Sequence, residues 1–98
     1  MGWLIAYDIA EPRRWRAVYK LVREIGFRLQ YSLFWADINV GQARDLADKL
    51  GKIIDWTEDD VRLYPLDEDA TVLLGGVRPW PDGVGHAAAR RFDKCWKN

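Results

Sequence analysis

The chain is short, and its acidic and basic residues balance. Ninety-eight residues are enough for one domain. Fifteen Lys and Arg balance fifteen Asp and Glu, so the net charge of the protein is too small to attract nucleic acid by itself. Hydrophobic residues make up 49% of the chain and include six Trp, so we expect a domain of this size to cover part of its aromatic surface by forming a homodimer.

The first predicted strand covers residues 3–8 and ends at Asp8. Because its apolar run has no polar alternation, we expect helices to cover one face of the strand and a partner subunit to cover the other. Pro12 then begins a predicted helix over residues 12–25, and Gly26 provides its stop. Basic side chains recur opposite the apolar stripe of this helix, where they face water or a polyanion: Arg13, Arg16, Lys20 and Arg23.

The middle of the chain predicts further strands and a second helix. Residues 29–36 alternate in the way that is typical of a strand. The pattern predicts either one long strand or two short strands kinked near Ser32. Asn39 and Gln42, three positions apart, predict a capping box at the start of a helix that reaches Ile54. The acidic run at 55–60 predicts a solvated turn, and residues 61–66 and 71–77 predict two more strands.

The end of the chain predicts a loop over 79–83 and a short helix over about 85–97. The order of elements predicts an α+β fold, a ferredoxin-like βαββαβ sandwich. We expect residues 1–78 to form this domain with an extra C-terminal strand, and residues 79–98 to form a loop and a short helix or tail.

The cysteine content predicts the compartment. Cys95 is the single cysteine, so no internal disulfide can form, which fits the reducing cytoplasm. The sequence shows no signal-peptide pattern and no long apolar segment, and we therefore expect no association with a membrane.

Four fragments in register resemble a known family. They are Tyr7-Asp8-Ile9, then Glu11-Pro12 with Arg14 and Arg16, then residues 28–34, and finally residues 60–66. Together they resemble the CRISPR-associated family of small nuclease-like proteins that partner the spacer integrase. The resemblance covers residues 3–66, about two-thirds of the chain.

The resemblance implies a ferredoxin-like homodimer whose first strands bring the two copies of Asp8 close to the two-fold axis. It also implies a metal-dependent phosphodiesterase acting on RNA or DNA, and a bridge between integrase dimers. Two symmetric carboxylates would share one Mg²⁺, with waters and phosphate oxygens as its other ligands. The alternative for Asp8 is a structural one, in which it caps the turn into the first helix.

The remaining candidate residues fall into two groups. The resemblance places Tyr7, Ser32 and Phe34 at catalytic positions, where together with Tyr31 they would orient a nucleotide or water. Packing is the alternative for Tyr7 and Phe34. The candidates for nucleic-acid binding share a positive charge near the first helix: Arg13, Arg14, Arg16, Lys20, Arg23 and Arg28.

Three functions remain open from the sequence. The leading interpretation is a dimeric component of CRISPR spacer acquisition that binds duplex DNA, bridges integrase subunits and has a possible Mg²⁺-dependent endonuclease activity. The alternatives are a purely architectural, non-catalytic adaptor and a toxin-like endoribonuclease of the same fold.

Overall fold

The computed structural model describes residues 1–74 and 92–94. Its main sheet has four antiparallel strands in the order β2-β3-β1-β4: β1 Gly2–Asp8, β2 Phe27–Gln30, β3 Leu33–Asp37 and β4 Asp60–Leu66. Helix α1, Pro12–Arg23, follows β1, and helix α2, Val40–Ile53, follows β3. This order of elements is βαββαβ, and the predicted ferredoxin-like fold is confirmed. Among the described helices, none is both long enough and apolar enough to cross a bilayer.

The alternating segment 29–36 forms two strands rather than one. A two-residue turn at Tyr31 and Ser32 separates β2 from β3, and the register of this hairpin shifts between Arg28 and Gln30. The turn lies at the Asp8 end of the sheet, because the Ser32 carbonyl accepts a hydrogen bond from the backbone N–H of Tyr7 at 3.1 Å. The hairpin therefore brings residues 31 and 32 close to the end of β1.

Side chains near the first turn set the start of each helix. The Glu11 carboxylate accepts hydrogen bonds from the backbone N–H groups of Arg13 and Arg14, so Glu11 is the N-cap of α1. The predicted capping box of α2 is confirmed: Gln42 N donates to Asn39 Oδ1 at 2.8 Å, and Asn39 N donates to Gln42 Oε1 at 2.9 Å. Both helices lie within one or two residues of their predicted ranges.

The core lies between the helices and one face of the sheet. Its fully buried side chains include Ile5 and Phe34 from the strands and Val18, Val22 and Leu50 from the helices. A second, smaller cluster lies on the opposite face and consists of Leu29 and Trp35 with Leu4, Phe27, Leu33 and Leu66 packed against them. Within one chain, the described helices therefore cover one face of β1.

A second, two-stranded sheet is separate from the main sheet. Strand β5, Val72–Leu74, pairs in parallel with strand β6, Phe92–Lys94. The predicted strand over 71–77 is confirmed at 72–74, whereas the predicted terminal helix is wrong at 92–94. There the backbone groups pair with β5, and this pairing outweighs a helical pattern that depends on few apolar positions. The rest of residues 75–98 lies outside the described residues.

Candidate functional site

Asp8 ends β1 with an exposed side chain. Because Glu11 caps α1, the alternative role of Asp8 as the cap of that helix is wrong. Within residues 1–74, no hydrogen bond or ion pair engages the Asp8 carboxylate. A carboxylate at a strand end, exposed and without a partner, is available to an external ligand.

Asp60 lies directly opposite Asp8 in the pairing of β1 with β4. Side chains of directly opposed residues in an antiparallel pair lie on the same face, so the two acids are neighbours. Asp60 also accepts a hydrogen bond from Arg62 Nε at 2.9 Å. The sequence analysis missed Asp60 as a neighbour of Asp8, because only the strand register shows that they are opposite.

Asp59 is the most enclosed acid near the site, with a side chain 0% exposed. It accepts hydrogen bonds from Arg14 Nε at 2.7 Å, from the backbone N–H of Ala10 at 2.9 Å and from that of Asp55 at 2.8 Å. The Arg14 hydrogen bond is the main cause that lowers the pKa of Asp59 from 3.8 to about 2. The prediction of a solvated acidic turn is therefore wrong for Asp59, which fixes the segment that follows Asp8.

The basic residues of α1 do not share one environment. The Arg14 guanidinium donates to Asp59 and, at 3.1 Å, to Glu58 Oε2, and these hydrogen bonds raise its pKa. The other helix cations are exposed and have no carboxylate partner within the described residues: Arg13, Arg16, Lys20 and Arg23. These four side chains form what we call the basic face of α1. Arg14 lies beside it as an ion-paired residue.

Tyr7, Ser32 and Phe34 come together at the Asp8 end of the sheet. The Tyr7 and Phe34 rings lie 6.2 Å apart in the core and are 4% and 1% exposed. Burial raises the pKa of Tyr7 to about 12. Because side chains alternate along a strand, Tyr7 faces the helices while Asp8 faces the opposite side. The structure therefore separates these two rings from the Asp8 carboxylate, and the catalytic roles of Tyr7, Ser32 and Phe34 stay predictions.

The donor set around Asp8 limits what one subunit can bind. Mg²⁺ takes about six oxygen ligands in an octahedral arrangement and keeps several waters. The described residues contain no group of three or more His, Cys, Asp or Glu side chains that could hold a metal ion. A free Asp8 carboxylate with Asp60 beside it fits a metal shared with a second copy, in which waters and phosphate oxygens supply the other ligands.

The fold and this acidic strand end define a small ferredoxin-like α+β protein with an accessible carboxylate at the end of its first strand and a basic face on its first helix. The sequence model of the family described as CRISPR associated protein Cas2 matches residues 1–72. The chain belongs to this family, and the resemblance stated from the sequence is confirmed.

Individual relatives agree with this assignment. The chain is 35% identical to CRISPR-associated endoribonuclease Cas2 2 of Thermodesulfovibrio yellowstonii, over 86% of this chain and 93% of that protein. It is 40% identical to CRISPR-associated endoribonuclease Cas2 3 of Chloroflexus aurantiacus, over 76% of this chain and 84% of that protein. The crystal structure of Streptococcus pyogenes Cas2 at pH 6.5 matches with a TM-score of 0.65 and 31% identity, over 70% of this chain and 89% of that chain.

Proposed function

We propose that this protein is a dimeric, cytoplasmic component of CRISPR spacer acquisition that binds nucleic acid and hydrolyses phosphodiester bonds with Mg²⁺. In this proposal Asp8 of each subunit holds the metal, the basic face of α1 holds the phosphate backbone, and the dimer bridges integrase subunits. Two of the relatives are named endoribonucleases, which supports a nuclease activity.

The observation that carries the proposal is the free carboxylate of Asp8. Asp59 and Asp60, the acids next to Asp8 at this end of the sheet, are ion-paired with Arg14 and Arg62. Asp8 is exposed and has no such partner among residues 1–74. A bound Mg²⁺ would supply an activated water and neutralise charge on the phosphate. The chain's own contribution is to hold Asp8 at the end of a paired strand, since Asp59 fixes the turn behind it.

The apolar cluster on the face of the sheet opposite the described helices supports the dimer. Leu4, Leu33 and Leu66 are half-buried there, around Leu29 and Trp35. A second copy that packs on this face would cover them, and because Asp8 ends the same strand as Leu4, it would also bring two copies of Asp8 to one interface. Two carboxylates related by symmetry, with Asp60 beside each, would complete a donor set that one chain lacks.

Cleavage assays with a matched variant test the catalytic part. We expect wild-type protein to cleave single-stranded RNA, duplex DNA or both when Mg²⁺ is present, and to lose this cleavage in EDTA. Asp8→Asn should reduce cleavage to background, whereas Asp48→Asn, an exposed acid on α2, should retain it. Equal cleavage by wild type and Asp8→Asn would exclude Asp8 as the metal-binding acid, and no cleavage by wild type would leave a purely architectural protein.

Salt-dependent binding tests the contact with phosphate. Replacing Arg16 and Lys20 by Ala should lower the affinity for duplex DNA and reduce the slope of log K against log[salt] by about 0.9 for each lost phosphate contact. The matched control replaces Arg44 and Lys49, which are exposed on α2. If both double variants change the slope equally, the basic face of α1 has no special role.

Co-purification tests the bridging role. We expect the dimer to associate with the integrase encoded beside it, and the complex to contain two integrase dimers for each dimer of this protein. Growth arrest on expression, with no integrase bound, would instead support a toxin-like ribonuclease of the same fold.

A further inference from the structure

A group of stacked aromatic rings lies beside α1. The indole of Trp15 stacks on the Tyr19 ring, with centroids 5.1 Å apart and planes 7° apart. It also stacks on the Tyr31 ring, with centroids 5.0 Å apart and planes 22° apart. Trp15 and Tyr19 are four residues apart on one side of the helix, and Tyr31 comes from the turn between β2 and β3. We call these three rings the aromatic cluster.

Two arginines lie against the aromatic cluster. The Arg28 guanidinium carbon is 5.2 Å from the centroid of Tyr31 and 5.5 Å from that of Tyr19. The Arg23 guanidinium carbon is 5.6 Å from the centroid of Tyr19. Neither arginine has a carboxylate partner in the part of the chain that the structure describes. The rings therefore lie beside two positive charges that no acid of this subunit neutralises.

Core packing accounts for Trp15 and Tyr19 but not for Tyr31. Tyr31 is 58% exposed, although its ring is stacked on Trp15 and lies under a cation. Behind these rings, the Tyr7 hydroxyl is buried and has no hydrogen-bond partner in residues 1–74. The Tyr7 ring lies 6.4 Å from Trp15. The surface thus combines an accessible aromatic ring with uncompensated positive charge.

We propose that the aromatic cluster, with Arg28 and Arg23, binds an unpaired base of single-stranded DNA or RNA. Tyr31 provides the ring on which the base stacks, and the base takes the place of the Arg28 guanidinium over that ring. The two arginines contact the phosphates on either side of the base. Every base has a flat π face, so stacking of this kind needs no particular sequence. Arginine adds a cation that interacts with both rings and phosphates.

This inference depends on the proposed nucleic-acid function and adds a selectivity that the basic face of α1 lacks. Phosphate contacts are made equally by duplex and single strand. Bases inside a duplex already stack on each other, so their faces are not free to meet Tyr31. The aromatic cluster therefore selects strands with unpaired bases, such as a single strand or the overhanging end of a duplex.

The test compares a short oligodeoxythymidine with an abasic strand of the same length, which keeps the phosphates and lacks the bases. We expect wild-type protein to bind the oligodeoxythymidine more tightly in fluorescence anisotropy. Tyr31→Leu should weaken that binding about tenfold and leave the abasic strand unaffected. Tyr31→Phe should bind as wild type because it keeps the ring. Trp56→Leu, which removes a ring 78% exposed on the far side of α2, is the matched control and should also bind as wild type.

Each result decides one proposal or both. If wild type binds both strands equally, or if Tyr31→Leu weakens both equally, the stacking site is wrong while phosphate binding stands. If wild type binds neither strand, the nucleic-acid function itself fails. The same measurements with oligouridine show whether the aromatic cluster takes RNA, DNA or both.

A second measurement avoids any substitution. An oligonucleotide with one 2-aminopurine should lose emission when wild-type protein stacks on that base. Unchanged 2-aminopurine emission at saturating protein would overturn the stacking site, even if Tyr31→Leu fails to fold.

Discussion

Arg14 Nε donates a hydrogen bond to Asp59 Oδ2 at 2.7 Å, and this contact joins α1 to the loop before β4. Because the same carboxylate accepts the backbone N–H of Ala10, it also fixes the turn that follows Asp8. One enclosed acid therefore links the three segments that form the candidate site. The first two predictions below follow from this contact.

Asp59→Asn should lower the melting temperature at neutral pH by several degrees. The pKa of Asp59 falls from 3.8 to about 2 on folding, so its stabilising effect is complete above about pH 4 and is lost as the pH falls towards 2. The free energy of unfolding should therefore fall more for wild type than for the variant between pH 5 and pH 2. This extra fall should be about as large as the difference in stability between the two proteins at neutral pH. Thermal unfolding followed by circular dichroism over this range measures both curves. Asp48→Asn serves as the control, and parallel curves for wild type and Asp59→Asn would contradict the prediction.

Arg14→Ala and Arg16→Ala should differ in how they affect DNA binding. The Arg14 guanidinium is engaged by Asp59 and Glu58, whereas Arg16 is exposed and unpaired in the described residues. We expect Arg16→Ala to reduce the salt slope by about 0.9 and Arg14→Ala to change it little while lowering the melting temperature. A full loss of slope with Arg14→Ala would mean that its ion pair opens to bind phosphate.

Gly26→Ala should destabilise the protein by about 1–3 kcal/mol. A Cβ at this position would lie 2.6 Å from the Trp35 carbonyl oxygen, and that backbone atom belongs to a paired strand that must move. Gly51→Ala is the control, because its Cβ would lie 3.2 Å from the outer ring of Trp56, an exposed side chain that needs to shift by only a few tenths of an ångström. Urea unfolding should show Gly51→Ala to be neutral or slightly stabilising. Equal losses in both variants would contradict this reasoning.

Leu33→Lys should shift the protein from dimer to monomer. Leu33 is a half-buried member of the apolar cluster on the face of the sheet opposite the described helices, and a lysine there would place a charge in the proposed interface. Sedimentation velocity measures the change, and we expect the dimer to weaken at least tenfold. Ile25→Lys replaces an apolar side chain 39% exposed outside that cluster and should leave the dimer intact. A monomeric wild type would remove the basis of the shared metal site.

The sequence predicted most of the fold because its signals are local. The capping pair Asn39 and Gln42 and the apolar run ending at Asp8 each depend on residues close together in the chain. It did not reveal Asp59 or Asp60, since an acid in a charged run shows its partner only when distant segments meet. The sequence also did not decide between one long strand and a hairpin turning at Tyr31, because a two-residue turn without Gly or Asn carries no strong signal.

The candidate site is built from residues far apart in the chain. Ala10 and Asp59, 49 positions apart, meet only when β4 pairs with β1. Helix α2 carries its own start signal, so we expect it to form early, while closing so long a loop is entropically costly and comes late. The acidic strand end around Asp8 would then be the last part to assemble. Partly folded chains, including those still emerging from the ribosome, would lack the means to cut nucleic acid.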